Sequence, residues 1–189
     1  MIRIGILGDI GSGKSYVASK FGYPVFNADY EVAQLYQQNK KIFTKLKKIL
    51  PKYFHSFPIK KEDISNVILA NKNNLNKIVK IVHAEIRKKM NLFLRKNKNK
   101  KIVILDIPLL LENKINKKKD ILVFVQSKKS EIIKRLKKRK NFNQKLLKKF
   151  RSVQYSTNYK KKKSDYIIKN NFTKKSVNDG IRNILNEIT

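Results

Sequence analysis

Ile2-Arg3-Ile4-Gly5-Ile6-Leu7-Gly8-Asp9-Ile10-Gly11-Ser12-Gly13-Lys14-Ser15 is the stretch that decides the fold. Ile2 to Leu7 is apolar enough for a buried strand, and the run ends at Gly8. Gly8 to Ser15 then fits G-x-x-x-x-G-K-[ST] without a mismatch. Each part of that pattern has a physical job. Glycines let the backbone wrap a phosphate with its N–H groups pointing inward. The loop opens a helix, expected from about Gly13 to Phe21, whose N-terminus favours anions. Lys14 can reach β- and γ-phosphates, and the Ser15 hydroxyl can ligate Mg²⁺. A strand before the loop and a helix after it separate this reading from a chance glycine turn with a stray lysine.

Outward from that stretch, strands and helices alternate. Tyr23 to Phe26 reads as a second short strand and Asp29 to Gln38 as a helix. The middle third is mostly helical. Asn71 to Lys96 carries Leu75, Ile78, Val79, Val82, Ile86, Met90 and Phe93 at three- and four-residue intervals. Ile102 to Asp106 and Ile121 to Val125 are continuous β-rich runs, as expected of strands covered on both faces. Ser130 to Lys140 and Lys145 to Gln154 are expected helices, Tyr166 to Ile168 a last strand, and Ser176 to Ile188 a closing helix. This order argues for an α/β fold with a mainly parallel sheet and a helical insertion over one end of it.

Four further sites have the residue types for chemistry. Asp106 ends an apolar run. A carboxylate at the C-terminal end of a parallel strand points into the ligand crevice, where it would hold Mg²⁺, or it caps the following turn. Asp29, after the second strand, suits a base that accepts a substrate hydroxyl proton, and equally suits a helix N-cap. Arg135 and Arg139 share a helix face, as a phosphoryl clamp or as a solvated cationic face. His83, between Val82 and Ala84, reads on its own as a structural histidine.

The chain has 189 residues, 46 Lys plus Arg against 13 Asp plus Glu, and no cysteine. That length suits one domain of ordinary size. The missing cysteine excludes a disulfide scaffold, a thiolate metal site and a cysteine nucleophile, and fits a reducing compartment. The longest nearly apolar run, Ile102 to Leu111, contains Asp106 and is too short to span a bilayer. No signal peptide is expected ahead of the first strand. The formal charge of +33 suggests a polyanion partner. Yet 39 of the cations are Lys and only 7 are Arg, while Lys, Ile and Asn make up 83 residues. These three have AT-rich codons, so biased composition explains the charge more simply. The lysine runs Lys117 to Lys119 and Lys160 to Lys163 are expected as solvated faces and loops. Asn116 to Asp120 is one residue too long for the guanine signature N-K-x-D.

Taken together, the motifs resemble the dephospho-CoA kinase family over nearly the full length. The loop Gly8 to Ser15 corresponds to its G-G-I-G-S-G-K-S, Asn27-Ala28-Asp29 to its D-A-D, and Val82-His83-Ala84-Glu85-Ile86 to its L-H-P-x-I. Asp106-Ile107-Pro108-Leu109-Leu110-Leu111-Glu112 matches D-x-P-L-L-x-E, the most specific stretch. Arg135 to Arg139 matches R-x-x-x-R, and Ser164 to Asn170 matches the closing A-D-x-V-I-x-N. The resemblance implies a three-layer P-loop NTPase fold with a mainly parallel five-stranded sheet. One kinase domain would cover 1–189, with a helical CoA-binding insertion at about 30–100 and a lid at about 136–162. It implies ATP-dependent phosphorylation of the ribose 3′-hydroxyl of dephospho-CoA, with ATP and Mg²⁺. Asp29 would be the base, with Lys14 and Arg139 stabilising charge. Gly8, Gly11, Ser12, Gly13, Lys14, Ser15, Tyr16 and Arg135 would bind the nucleotide. Asp29, His83, Pro108, Leu109 and Glu112 would bind the acceptor, and Ser15 and Asp106 the metal. The expected partner is the acceptor molecule, with no specific nucleic acid and no membrane, in the cytoplasm. A monomer is expected, with an oligomer left open.

The chain departs from the family pattern in places. Leu7 stands where a substrate-side Thr is usual, Asp9 replaces a Gly, Tyr16 a Thr, Asn27 an Asp and Ala84 a Pro. Gln154 has Phe150 four residues before it, where the lid pattern R-x-x-x-Q has Arg. Alternatives to the leading reading are a P-loop kinase for another small acceptor, a basic nucleic-acid-stimulated ATPase, and a degenerate relative that binds CoA-like ligands without turnover.

Overall fold

The computed structural model describes residues 1–71, 73–140 and 142–189. Residue 72, inside the helix expected over 71–96, and residue 141, inside the expected lid, lie outside the described residues. The described residues divide into two compact units. The first comprises 1–27, 97–142 and 153–189, and the second 28–96 and 143–152.

The first unit holds the sheet. Its strands are β1 (Ile2–Gly8), β2 (Val25–Asn27), β3 (Ile102–Asp106), β4 (Ile121–Gln126) and β5 (Tyr166–Lys169). Among the described residues they form one five-stranded sheet in the order β2-β3-β1-β4-β5, with every pairing parallel. β1 is central, and Ile4 pairs with Ile104 on one side and Ile121 on the other. The continuous apolar runs of β3 and β4 follow from this, because parallel strands inside such a sheet are covered on both faces. On one face, Ile4, Ile6, Ile104, Val123 and Ile168 pack against Val17 and Ala18 of α1 (Lys14–Lys20) and against Phe21, which caps it. Val177, Ile181 and Ile184 of α9 (Lys174–Ile188) join the same cluster. On the other face Gly5 lets Leu110 and Leu122 approach, since a Cβ there would lie 2.5 Å from Leu110 Cδ2.

The second unit is helical: α2 (Ala28–Gln38), α3 (Lys40–Ile49), α4 (Lys61–Ala70), α5 (Asn74–Lys96) and α7 (Gln144–Ser152). Helix α5 buries Leu75, Ile78, Val82, Ile86 and Met90, a stripe at helical spacing, and packs against α2, α3 and α4. The helix starts at Asn74 and not at Asn71. The Asn71 side chain accepts the Asn73 N–H at 2.8 Å, a local turn that competes with helical bonding. The second strand likewise begins at Val25, because pairing opens on the Pro24 carbonyl, which accepts the Ile104 N–H at 2.9 Å.

In the first unit α6 (Lys129–Lys137) follows β4, and α8 (Thr157–Lys162) precedes β5. The expectation of solvated faces and loops at Lys160 to Lys163 is corrected at Lys160. These residues fall largely in α8, and Lys160 is 1% exposed while Lys161, Lys162 and Lys163 are exposed. The expected lid stretch 136–162 contains the end of α6, α7 and α8, with residues 143–152 grouped in the helical unit. No helix of the described residues is long and apolar enough to cross a membrane.

Candidate active site

The loop between β1 and α1 closes on itself. Gly8, Gly11 and Gly13 all have positive φ. At Gly11 and Gly13 space also matters. A Cβ on Gly11 would lie 3.0 Å from Leu136 and 3.1 Å from Ile132 of α6, and one on Gly13 would meet the Asn170 amide nitrogen. Gly13 is the N-cap of α1 in the left-handed conformation, with no side-chain cap. The first turn of α1 therefore presents its backbone N–H groups at the loop, which is the anion-binding geometry of a helix start. The Lys14 ammonium arches over the loop and donates to the Asp9 carbonyl at 2.8 Å and the Gly8 carbonyl at 3.3 Å. The Asp9 carboxylate turns back to accept the Ile10 N–H at 2.7 Å.

Two elements brace this loop from behind. The Ser12 carbonyl accepts from Ser127 Oγ at 3.0 Å and from Asn170 Nδ2 at 2.9 Å. Asn170, 2% exposed, also accepts the Phe172 N–H at 2.8 Å. Phe172 thereby holds a positive φ, and its ring comes 3.7 Å from the Cβ position of Gly13. Arg135 stacks on that ring, its guanidinium carbon 4.3 Å from the centroid. The closing pattern A-D-x-V-I-x-N reaches Asn170, while Phe172 lies beyond every motif in the sequence. For Phe172 the signal is its place past the carboxyl end of β5, where parallel strands deliver ligand-facing residues.

Asp106 ends β3, beside β1, and is 3% exposed. Burial pushes its carboxyl above the usual carboxylate range, while a hydrogen bond from Ser15 and the Lys14 charge pull the other way. Asn27 Nδ2 donates to Asp106 Oδ2 at 2.8 Å. The first unit thus brings Lys14, Ser15, Asn27 and Asp106 together. Tyr16 is partly exposed, with Lys20 over its ring at 5.5 Å. Arg139 lies just past α6 and is exposed.

The chain turns after Asp106. The Leu110 N–H donates to the Ile107 carbonyl at 3.2 Å, with Pro108 at the first corner, where its fixed φ suits a turn. Pro108 and Leu109 are half-buried. Glu112 is engaged inside the first unit, accepting from Lys160 Nζ at 2.9 Å and from the Tyr155 N–H at 2.8 Å on one oxygen. Leu7, at the position of the family's threonine, is 2% exposed and belongs to the core.

Asp29 and His83 belong to the helical unit. Asp29 is exposed in the first turn of α2. His83 is half-buried in α5, and burial, with the Arg87 charge adding to it, holds its imidazole below the ordinary histidine value.

The family model for dephospho-CoA kinase matches residues 2–176. The chain belongs to the dephospho-CoA kinase family. A dephospho-CoA kinase of Wolbachia pipientis wMel is 33% identical over 190 residues, covering 98% of this chain and 97% of that relative. A crystal structure of a Thermus thermophilus protein superposes with a TM-score of 0.77 at 25% identity, covering 100% of this chain and 98% of the other. A dephospho-CoA kinase from Campylobacter jejuni shares the fold, with a TM-score of 0.61 at 21% identity over 99% of this chain and 97% of the other. Asn27, which stands where the resembled D-A-D pattern has its first Asp, meets Asp106 through its amide. An amide there donates a hydrogen bond where a second carboxylate would add like-charge repulsion to an already buried acid.

Proposed function

We propose that the protein transfers the γ-phosphoryl group of ATP to the ribose 3′-hydroxyl of dephospho-CoA, giving coenzyme A and ADP, the last step of coenzyme A biosynthesis. One observation carries this reading. A chain of the dephospho-CoA kinase family sets a closed phosphate loop and a strand-end carboxylate on adjacent parallel strands.

In the proposed reaction the 3′-hydroxyl oxygen bonds to the γ-phosphorus as the bond to the β–γ bridging oxygen breaks. The hydroxyl proton passes to the Asp29 carboxylate, and ADP leaves. Lys14 and Arg139 stabilise charge on the transferring group. Gly8, Gly11, Ser12, Gly13 and Tyr16 border the nucleotide, with Arg135 at its base. His83, Pro108, Leu109 and Glu112 are assigned to binding the acceptor.

Ser15 and Asp106 fit Mg²⁺. They offer hard oxygen donors, few in number, as suits an ion that takes the rest of its shell from phosphates and water. A nearby cation would also favour the charged form of Asp106, whose own surroundings favour the neutral one. When bound, Mg²⁺ supplies charge neutralisation on the β- and γ-phosphate oxygens. The protein is read as a cytoplasmic monomer with no specific nucleic-acid partner. Its positive field speeds capture of two polyanionic substrates.

The test is substrate-dependent turnover across a panel: dephospho-CoA, adenosine, shikimate, and RNA as an ATPase stimulant. Dephospho-CoA should be preferred by orders of magnitude. A preference for another acceptor, or stimulation by RNA alone, would replace the reading. Asp29→Asn should lower turnover by about 10²–10⁴-fold with ATP binding nearly intact. Equal loss of both would argue against a base.

A further inference from the structure

Lysine is almost never fully buried unless it is paired. Lys160 is 1% exposed, and among the described residues of α8 it alone is buried. The helix is therefore held in place by an ammonium and not by an apolar face. Its Nζ donates to Glu112 Oε1 at 2.9 Å and to Gln154 Oε1 at 2.8 Å. The same Glu112 oxygen accepts the Tyr155 N–H at 2.8 Å. One buried charge thus ties three segments: the turn after β3, the connection at 154–155 that leads into α8, and α8 itself.

Stability does not account for this arrangement. A buried ion pair spends much of its Coulombic gain on desolvation, and an apolar pair of similar volume often does as well or better. Here the pair is also incompletely satisfied, because Glu112 Oε2 is buried with no hydrogen-bond partner among the described residues. What the pair does supply is position. Thr157, Asn158 and Lys161 of α8 share a cavity of about 190 Å³ with Asp9 and Ser12 of the phosphate loop. Helix α8 also packs against β1, the strand that feeds that loop. At its other end the pair holds Glu112, the last residue of the Asp106 to Glu112 stretch.

We propose that Lys160 is a positioning residue for phosphoryl transfer. It fixes the Glu112 carboxylate for the acceptor and seats α8 beside the phosphate loop. The inference rests on the dephospho-CoA kinase reading, and the wild-type arm of the experiment tests that reading separately.

The experiment compares wild type, Lys160→Met, Lys160→Arg and Glu112→Gln, with Val177→Ala as a core control. Melting temperature is measured, and kcat and KM are determined for ATP and for dephospho-CoA at a temperature where every variant is folded. Lys160→Met should lower kcat/KM for dephospho-CoA by at least tenfold while KM for ATP stays within about twofold. Lys160→Arg keeps the charge and the fold. It should still lose severalfold, since a planar guanidinium cannot meet Glu112 and Gln154 with the same geometry. Glu112→Gln should resemble Lys160→Met, and the double variant should be no worse than either single one. Val177→Ala should melt lower with unchanged KM values. The proposal is overturned if folded Lys160→Met and Lys160→Arg keep the wild-type kcat/KM for dephospho-CoA, or if they change it no more than Val177→Ala does. Wild type without dephospho-CoA-dependent turnover would overturn both the reading and the proposal. Active wild type with unaffected variants overturns the proposal alone.

Discussion

Replacing Gly13 with alanine probes how the phosphate loop is held. Gly13 has φ near +91°, and a Cβ residue in the left-handed region costs about 1–2 kcal/mol. The new methyl would also run into the Asn170 amide nitrogen. Asn170 must then give up its bonds to the Ser12 carbonyl and the Phe172 N–H. Those bonds together are worth about 1–2 kcal/mol net, because the Ser12 carbonyl keeps the Ser127 hydroxyl as a donor. The sum is about 2–4 kcal/mol, or about 4–16 °C in melting temperature for a chain of this size. Asn170→Ala alone should cost about 1–2 kcal/mol, by loss of the same bonds. Gly13→Ala has already forfeited them, so the double variant should be about as unstable as Gly13→Ala and not the sum of the two. The assay is urea denaturation of all four proteins, with ATP affinity measured in parallel. Additive losses in the double variant would refute the steric coupling. A Gly13→Ala protein with wild-type stability would refute the account of the loop.

Three more outcomes follow from buried groups. Asp106 is held above its ordinary value, so the native state keeps a proton that the unfolded chain has released. Stability should therefore fall as pH rises from about 4 through the raised native value. Asp106→Asn should remove that slope, raise the melting temperature of the ligand-free protein at pH 8, and abolish turnover; an unchanged pH–melting curve would count against it. His83 is shifted the opposite way, so its contribution is complete above about pH 6.5 and is lost as pH falls through its lowered native value. His83→Gln should flatten the fall of the denaturation midpoint below about pH 6.5. Leu7→Thr restores the residue usual in the family but places a hydroxyl in the core. It should destabilise by about 2–4 kcal/mol in urea melts without raising kcat; a gain in turnover would show that Leu7 faces the substrate.

The framework of the first unit was legible because strand periodicity and the glycine loop are local signals. Ile2 to Gly8, the loop and α1 follow from one stretch, and Asp106 falls beside Lys14 and Ser15 once β3 is set next to β1. What the residue pattern did not carry is long-range pairing. In a run of four lysines nothing local marks Lys160 as the buried one. Its partner Glu112 is remote in sequence, and α8 has no apolar stripe to reveal it. The stack of Arg135 on Phe172 depends on a left-handed residue whose conformation is set by Asn170, a contact invisible to periodicity. Leu7 was legible as a departure from the family pattern, but its burial is set by the register of β1 with β3 and β4. The charge of +33 also changes meaning. Most of it is surface, yet one of its lysines is an internal fastening.

The most direct measurement of the central claim is the initial rate of ADP release by folded, ATP-binding protein with and without dephospho-CoA, with the product identified as coenzyme A. The account predicts release that requires dephospho-CoA and matches coenzyme A formed one for one. ATP binding without dephospho-CoA-dependent release above background would contradict it.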